Sequence, residues 1–203
     1  RAMARGAGRN AVDCALWDFY AKRDGISVAE TAGLAPLKSE ITAETIGMGT
    51  PDEMGARAAE LSAAPLLKIK INAEDIEKRL DAVRAGAPNA RIIVDPNEGW
   101  DVALLSEKVR YLAEIGVEML EQPVPVGQDG GLAALDSPVP ICADESVHTA
   151  DGLEDLVKRY DMVNIKLDKT GGLTEALKLR ARAEALGFEI MVGCMVGSSL
   201  AMA

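Results

Sequence analysis

From about residue 39 onward, short apolar runs alternate with segments whose apolar residues have helical spacing. Short apolar runs predict strands, and the segments between them carry apolar residues at helical spacing. The predicted strands cover residues 41–47, 66–71, 91–95, 117–121, 140–144, 162–167 and 188–192. Helices are predicted at 51–62, 73–84, 102–115, 130–135, 150–159 and 174–186, and another begins at Ser198. Two earlier helices, at 10–23 and 27–33, precede the alternation.

This alternation of strands and helices predicts a parallel sheet with crossover helices. Units that recur roughly every 25 residues fit a (β/α) barrel better than a doubly wound sheet, and an eighth strand would follow Ala203. No Gly-x-Gly-x-x-Gly follows the first strand, so a dinucleotide-binding fold has no support. We therefore predict an α/β protein of the TIM-like class, with a helical lead-in at residues 1–38 and a barrel domain at residues 39–203.

The strand at 66–71 carries an unusual pair of charges. Residues two apart in a strand point to the same face, so Lys68 and Lys70 share one face and Leu67, Ile69 and Ile71 share the other. Two ammonium groups in an apolar strand are costly unless anions face them. The sequence must therefore supply anions nearby.

The amino-acid composition argues against several classes of function. Hydrophobic residues make up 48% of the 203 residues, which is enough for a substantial core, and the net charge of −10 argues against nucleic acid and anionic membrane as partners. The three cysteines are widely spaced and form neither a disulfide framework nor a zinc pattern, which favours a reducing compartment. No segment approaches the roughly 18 apolar residues of a membrane span. We predict a cytoplasmic enzyme, and a homo-oligomer is compatible with this sequence.

The required anions stand at the ends of the next strands. Asp95, Glu121 and Asp144 end strands three to five, and Lys166 ends strand six. In a barrel the carboxyl ends of the strands surround the active site. Three converging carboxylates repel one another unless they bind protons or a cation, and an all-oxygen set selects a hard ion such as Mg²⁺. We therefore expect these carboxylates to bind one Mg²⁺ rather than to pair directly with the lysines.

The lysines then divide between two sides of the predicted site. Strands two and six lie opposite each other in a barrel of eight, so Lys70 and Lys166 would flank a substrate bound at the metal. That arrangement suits removal and return of an α-proton beside a carboxylate, through an enolate that the cation stabilises. Lys68 would favour the basic form of Lys70 by like-charge repulsion and would also contact the substrate carboxylate.

Several neighbouring residues are weaker candidates. Asn97 and Asn164 share faces with Asp95 and Lys166 and are expected to support them by hydrogen bonding. Gln122 and Glu145 adjoin two of the carboxylates and would face the opposite way, although either neighbour of such a pair could point inward, and Glu145 is a further supporting candidate. His148 is predicted to be a surface or supporting group rather than a metal ligand.

Five short motifs together resemble the muconate-lactonising subgroup of the enolase superfamily. They are Lys68-Ile-Lys70, Asp95-Pro-Asn97, Glu121-Gln-Pro123, Asp144-Glu-Ser146 and Asn164-Ile-Lys166. The resemblance implies a modified (β/α)7β barrel, Mg²⁺ on the three carboxylates, and acid/base lysines on strands two and six. Within the subgroup, residues 164–176 and 191–195 are most similar to dipeptide epimerases, which act on L-Ala-D/L-Glu in peptidoglycan recycling.

By that resemblance, further residues would line the substrate pocket, namely Thr45, Lys68, Cys194, Met195 and Val196. The family also has an N-terminal capping domain and an Asp-x-Asp on strand eight. Both lie outside this sequence, so we expect the stretch alone to be a poor catalyst.

Other readings stay open at this point. The same residues would serve o-succinylbenzoate synthase, N-acylamino acid racemase or muconate cycloisomerase. A Schiff-base lyase that uses Lys166 as its nucleophile is an alternative of a different class, but it leaves the three carboxylates unexplained. A catalytically inactive barrel that serves as a binding protein is a third.

Overall fold

The structure is a computed structural model that describes residues 3–197. Its strands are β1 (Glu44–Ile46), β2 (Leu66–Lys70), β3 (Arg91–Asp95), β4 (Val117–Glu121), β5 (Ile141–Ala143), β6 (Met162–Ile165) and β7 (Glu189–Val192). Its α-helices are α1 (Ala7–Asp24), α2 (Val28–Thr31), α3 (Pro51–Glu60), α4 (Ile76–Gly86), α5 (Val102–Glu114), α6 (Leu167–Thr170) and α7 (Leu173–Leu186). Short 3₁₀ helices span Asp129–Ala134 and Leu153–Leu156.

The sheet confirms the predicted fold class. Over the described residues it has seven strands in the order β1 to β7, which is the topology of consecutive βαβ units. Neighbours from β1 to β5 are parallel, and Lys70 pairs with Asp95 in the register of β2 and β3. In the next pair Val94 lies opposite Leu120, so the carboxylates that follow these residues end their strands at the same edge.

One compact unit comprises Ile41–Ser146 and Leu156–Met162. Its core follows the alternation of β2, where Leu67, Ile69 and Ile71 are buried and both lysines lie on the other face, as predicted. Helix α3 begins where the sequence predicts, because Thr50 and Glu53 form a reciprocal capping box.

The other unit contains the chain up to Glu40, Val147–Asp155 and the residues from Val163 onward. Here α1 is tied to the start of α7 by side-chain hydrogen bonds. The Asp13 carboxylate accepts from the Thr174 backbone N–H at 2.9 Å, and the Trp17 indole donates to the Thr174 hydroxyl at 2.9 Å. A methyl group at Gly172 would collide with the Asp13 side chain, so this position has no room for a larger residue.

Several element predictions differ from the structure, and the helix predicted at 130–135 is the 3₁₀ helix Asp129–Ala134. The helix predicted at 150–159 is instead the short 3₁₀ helix Leu153–Leu156, because Gly152 adopts a left-handed conformation with φ 77° and breaks the turn before it. Helix α6 follows β6, where the prediction has only a loop. Strand β1 is shorter than its apolar run. The helix predicted from Ser198 lies outside the described residues.

Helix α1 leaves four of its large apolar side chains exposed, namely Val12, Leu16, Phe19 and Tyr20. Among residues 3–197, no helix combines the length and the apolar character that crossing a membrane requires.

Candidate active site

The two lysines of β2 lie directly against carboxylates. The Lys68 Nζ atom is 2.6 Å from an oxygen of Glu121 and 2.8 Å from Oδ2 of Asp95. The Lys70 Nζ atom is 2.6 Å from the same Oδ2 atom, so one carboxylate oxygen receives both ammonium groups. The expectation that these carboxylates do not pair directly with the lysines is therefore wrong, because the ammonium groups supply the positive charge that buried carboxylates require.

Burial differs sharply between the acids and the bases. Asp95, Glu121 and Asp144 are 1%, 0% and 2% exposed, whereas the side chains of Lys68 and Lys70 are 13% and 31% exposed. Burial, reinforced by the Asp95 carboxylate, raises the pKa of Glu121 above its ordinary value. For Lys68, burial acts to lower the pKa, but Glu121 and Asp95 outweigh it and the pKa is raised. Lys68 is therefore held as a cation.

The donor set fits a hard divalent cation. Three buried carboxylates stand at the ends of three neighbouring strands, and burial followed by repulsion from Asp95 raises the pKa of Glu121. Oxygen ligands of this kind are typical of Mg²⁺ sites. In the side-chain arrangement described for residues 3–197, no three acidic, histidine or cysteine side chains already converge around a common metal position.

Asn97 connects the lysine strand to a further acid. Its Oδ1 accepts from Lys70 Nζ at 2.5 Å, and its Nδ2 donates to Glu145 Oε1 at 3.4 Å. The Asn97 backbone N–H also donates to Asp95 at 2.9 Å. Burial and then the Asp144 carboxylate raise the pKa of Glu145. The carbonyl oxygen of the Asn97 amide thus faces an ammonium donor, and its NH₂ group faces a carboxylate acceptor.

Strained backbone marks the same strand ends. Asn97, Glu98 and Gln122 have φ values of 46°, 63° and 33°, in the left-handed region that non-glycine residues seldom adopt. Such conformations persist only where the surroundings determine them, and they concentrate at functional sites. The Glu98 backbone N–H donates to the Gln122 carbonyl at 2.8 Å, so the two strained turns are joined.

Lys166 belongs to the other unit, at the end of β6 and the start of α6. Its side chain and that of the buried Asn164 run beside Gly193. A methyl group at Gly193 would lie 2.6 Å from Asn164 Oδ1 and 2.9 Å from Lys166 Cε. A glycine is therefore needed there for both side chains to keep their places.

The predicted substrate-lining residues are divided between the units. Thr45 is exposed on β1 and lies opposite Lys68 in the strand register. In the other unit Cys194, Met195 and Val196 are exposed after β7. A cleft in that unit is lined by Arg5, Gly6, His148, Asp168, Lys169 and Met195.

Sequence reasoning did not identify the role of Gln122. This residue is fully buried, and its amide contacts backbone and side-chain groups of the Asp144-Glu-Ser146 turn. The signal was present, since Gln122 is the middle residue of the Glu121-Gln-Pro123 motif. The left-handed backbone that turns it inward is not visible in the sequence. Gly193 carried no sequence signal for its role beside Lys166.

Comparison with known proteins identifies close relatives. The L-Ala-D/L-Glu epimerase of Escherichia coli (strain K12) is 48% identical over 98% of this chain, and an N-acetyl-D-glutamate racemase of Pseudoalteromonas sp is 48% identical over 99% of it. The chain spans 63% and 64% of the lengths of these two proteins.

A solved structure is also similar to this chain in both sequence and fold. It is an enolase family member from Agrobacterium tumefaciens with homology to dipeptide epimerases, solved with bound sodium and L-Ala-L-Glu. It shares 55% identity with this chain, the TM-score is 0.95, and the match covers 99% of this chain and 62% of that one.

The family assignment draws on sequence and topology together. Residues 53–203 match the family described as "Enolase C-terminal domain-like". The match includes the lysine strand and every strand-end carboxylate described above. With its consecutive parallel strands and its lysine and carboxylate motifs, the chain belongs to the enolase C-terminal domain-like family.

Proposed function

We propose that this chain forms the catalytic part of an Mg²⁺-dependent epimerase that inverts the α-carbon of a glutamate residue in a dipeptide such as L-Ala-D/L-Glu. The observation that carries this proposal is the pair of lysines on β2, held against the buried carboxylates that end β3 and β4. The relatives named as an epimerase of L-Ala-D/L-Glu and a racemase of N-acetyl-D-glutamate support it.

The carboxylates would hold the metal. Asp95, Glu121 and Asp144 are the proposed ligands, and a bound Mg²⁺ would supply positive charge that stabilises an enolate of the substrate carboxylate. Lys68 Nζ contacts two of these carboxylates at 2.6 and 2.8 Å. Because like charges repel, this ammonium would move off their oxygens when a cation binds, and it would then be available to the carboxylate of the substrate.

Two lysines would move the proton. A neutral lysine takes the α-proton onto its nitrogen lone pair, and the C–H electron pair becomes the enolate. The ammonium of the second lysine then returns a proton to the opposite face of the carbon. We assign these roles to Lys70 and Lys166, which exchange protonation states in each turnover. Asn97 would orient Lys70, which it contacts at 2.5 Å.

The residues expected to line the substrate pocket remain part of this proposal, namely Thr45, Lys68, Cys194, Met195 and Val196. Asn164 and Glu145 would support Lys166 and Asn97 respectively. The proposed setting is the cytoplasm and peptidoglycan recycling, where such dipeptides arise.

A second candidate shares the same chemistry. L-Ala-L-Glu and N-acetylglutamate are both N-acylated glutamates, and they differ mainly in the ammonium group of the alanine. The racemase among the relatives therefore favours N-acylamino acid racemisation as the alternative. Removal of the α-proton would use the same lysines, so the two functions differ in what recognises the acyl group.

Isotope exchange tests the proposal on the complete protein. With Mg²⁺ in D₂O, L-Ala-L-Glu should gain deuterium at the glutamate α-carbon. Lys70→Ala and Lys166→Ala should each abolish exchange from a different stereoisomer, while Lys78→Ala, a surface lysine of α4, should change nothing. Exchange that both lysine variants retain in full would refute the two-base mechanism.

Two additional arms separate the alternatives. N-acetyl-L-glutamate in place of the dipeptide distinguishes a racemase of N-acyl amino acids, which would process it at least as well. Activity that survives EDTA and is trapped by borohydride would instead identify the Schiff-base reaction at Lys166.

A further inference from the structure

Gln122 joins the three strand ends that carry the proposed metal ligands. Its backbone N–H donates to the Cys142 carbonyl of β5 at 2.8 Å, and its own carbonyl accepts from Glu98, just beyond β3, at 2.8 Å. Its side-chain Oε1 accepts from the backbone N–H groups of Asp144 and Ser146 at 2.8 and 3.0 Å. Gln122, the residue after Glu121, thus hydrogen-bonds to the turns that follow β3 and β5.

The other end of the Gln122 amide faces acceptors. Its Nε2 atom lies 2.9 Å from the Ser146 hydroxyl, 3.0 Å from the Tyr160 hydroxyl and 2.9 Å from the Val124 carbonyl. The two orientations of this amide are therefore far from equivalent. A flipped amide would point its NH₂ group at two backbone N–H donors and would release the turn that bears Asp144.

Asp129 fixes which way the Tyr160 hydroxyl group points. This buried carboxylate lies 2.9 Å from the Tyr160 hydroxyl and 3.3 Å from the Ser146 hydroxyl, and Arg159 balances its charge at 2.7 Å. An ionised carboxylate only accepts hydrogen bonds, so the Tyr160 hydroxyl donates to it. The Ser146 hydroxyl lies 3.0 Å from the Tyr160 hydroxyl and 3.3 Å from the carboxylate, and either can accept its proton. The two hydrogens of the Gln122 amide then have three acceptors, the two hydroxyl oxygens and the Val124 carbonyl, so at least one hydrogen is donated to a hydroxyl.

The phenol is suited to this role. Burial raises the pKa of Tyr160, and the Asp129 carboxylate adds to the rise, so the hydroxyl stays protonated and donates. Donation therefore runs from the Gln122 amide to the pair of hydroxyls and from the Tyr160 hydroxyl to Asp129. None of these groups is needed for the proton transfer described above.

We infer that Asp129, acting through Tyr160 and Gln122, positions Asp144 to bind the cation. The inference rests on the proposed function, because it takes Asp144 as a metal ligand. Gln122 and Tyr160 are positioning residues, since they act through the Asp144 turn and not on the substrate. The left-handed backbone of Gln122 is consistent with this role, because such a conformation persists only where several contacts determine it.

Binding of Mn²⁺ alone to the complete, metal-free protein tests this inference without measuring activity. Tyr160→Phe keeps the ring and removes the hydroxyl, and we expect it to weaken Mn²⁺ binding about 10-fold in a calorimetric titration, as is usual for partners behind a metal ligand. The matched control is Tyr111→Phe. The Tyr111 hydroxyl also donates to a carboxylate, Asp81, at 2.7 Å, but between α4 and α5. This control should leave Mn²⁺ affinity unchanged.

The outcomes separate the two levels of the argument. Wild-type protein that binds no Mn²⁺ would overturn the proposed function and this inference with it. Wild-type protein that binds Mn²⁺, with Tyr160→Phe binding it equally well, would overturn the inference alone and leave the hydroxyl a purely structural role. If Tyr160→Phe does not fold, Asp129→Asn serves instead, because asparagine has nearly the same shape as aspartate but lacks the charge that directs the Tyr160 hydroxyl. Unchanged Mn²⁺ affinity in that folded variant would equally refute the inference.

Discussion

Replacing Lys68 by methionine isolates the charge that the buried carboxylates require. Methionine has a similar volume, but the variant removes the ammonium that lies 2.8 Å from Asp95 and 2.6 Å from Glu121. Removing one partner of a buried ion pair costs about 3–5 kcal/mol. Because Lys70 still contacts Asp95, we expect the lower end of this range, a loss of about 3 kcal/mol in the free energy of unfolding.

Urea unfolding of the complete, metal-free protein measures this loss. The matched control is Lys78→Met, which removes an ion pair of similar length, 2.6 Å, between Lys78 and Asp75 on the surface. These side chains are 75% and 47% exposed, so the control should lose far less stability than Lys68→Met does. Equal losses in the two variants would refute the claim that the Lys68 pair is a buried one.

Dependence on pH shows whether the loss is electrostatic. Without the ammonium, burial and Asp95 act on Glu121 unopposed and raise its folded-state pKa further above the ordinary value of 4.5. The folded variant then holds more protons than the unfolded chain, so its stability falls as pH rises from 4.5 toward the folded pKa. The deficit relative to wild type should therefore be smaller at about pH 5 than at about pH 8.

Added Mg²⁺ tests the same charge from the other side. A ligand at 100 times its Kd stabilises a folded protein by about 2.7 kcal/mol. The variant should gain more from Mg²⁺ than wild type does, because no ammonium competes for the two carboxylates. A deficit that neither low pH nor Mg²⁺ reduces would show that lost packing, and not lost charge, destabilises the variant.

Three other substitutions test separate parts of the structure. Gly193→Ala should displace the Lys166 side chain and lower kcat at least about 10-fold. The control is Gly47→Ala, whose methyl group meets no atom within 4 Å and which should leave kcat unchanged. Equal kcat values in the two variants would refute the steric argument. Asn97→Gly keeps the left-handed backbone but removes the contact to Lys70, so kcat should fall about 10-fold. The free energy of unfolding should stay within about 1 kcal/mol of the wild-type value. A larger loss of stability would instead indicate a structural role for Asn97. Arg84→Met should lower the free energy of unfolding by about 2 kcal/mol in urea without affecting kcat, because its guanidinium binds the backbone carbonyls of Ala90 before β3 and of Ile115 and Gly116 after α5. An unchanged urea midpoint would contradict this.

The fold and the strand-end acids could be predicted because each depends on local periodicity. Alternation in β2 is enough to assign Lys68 and Lys70 to one face, and a carboxylate that follows an apolar run ends its strand whatever the rest of the chain does. A helix boundary such as that near Gly152 was missed because a single left-handed residue decides it. The spacing of apolar residues does not indicate the backbone conformation of a single residue.

The direct partners of the lysines could not be predicted for a different reason. Which carboxylate oxygen an ammonium contacts depends on distances of a few tenths of an ångström across β2, β3 and β4. The same is true of Gln122, whose side chain turns inward because its φ is 33° and not because of its neighbours in the sequence. Contacts of this kind require coordinates, whereas the types of residue that make them are visible in the motifs.

The charge balance of the site explains why two lysines stand on one strand. Lys68 is the more buried of the two and contacts both Asp95 and Glu121, whereas Lys70 is more exposed and shares a single oxygen of Asp95. In the proposed function Asp95 and Glu121 would hold a cation, whose charge would take the place of the Lys68 ammonium beside them. Lys68 would then be available to another anion, such as the substrate carboxylate. Binding of the metal and of the substrate would thus support each other, while Lys70, held by Asn97, keeps its place for proton transfer.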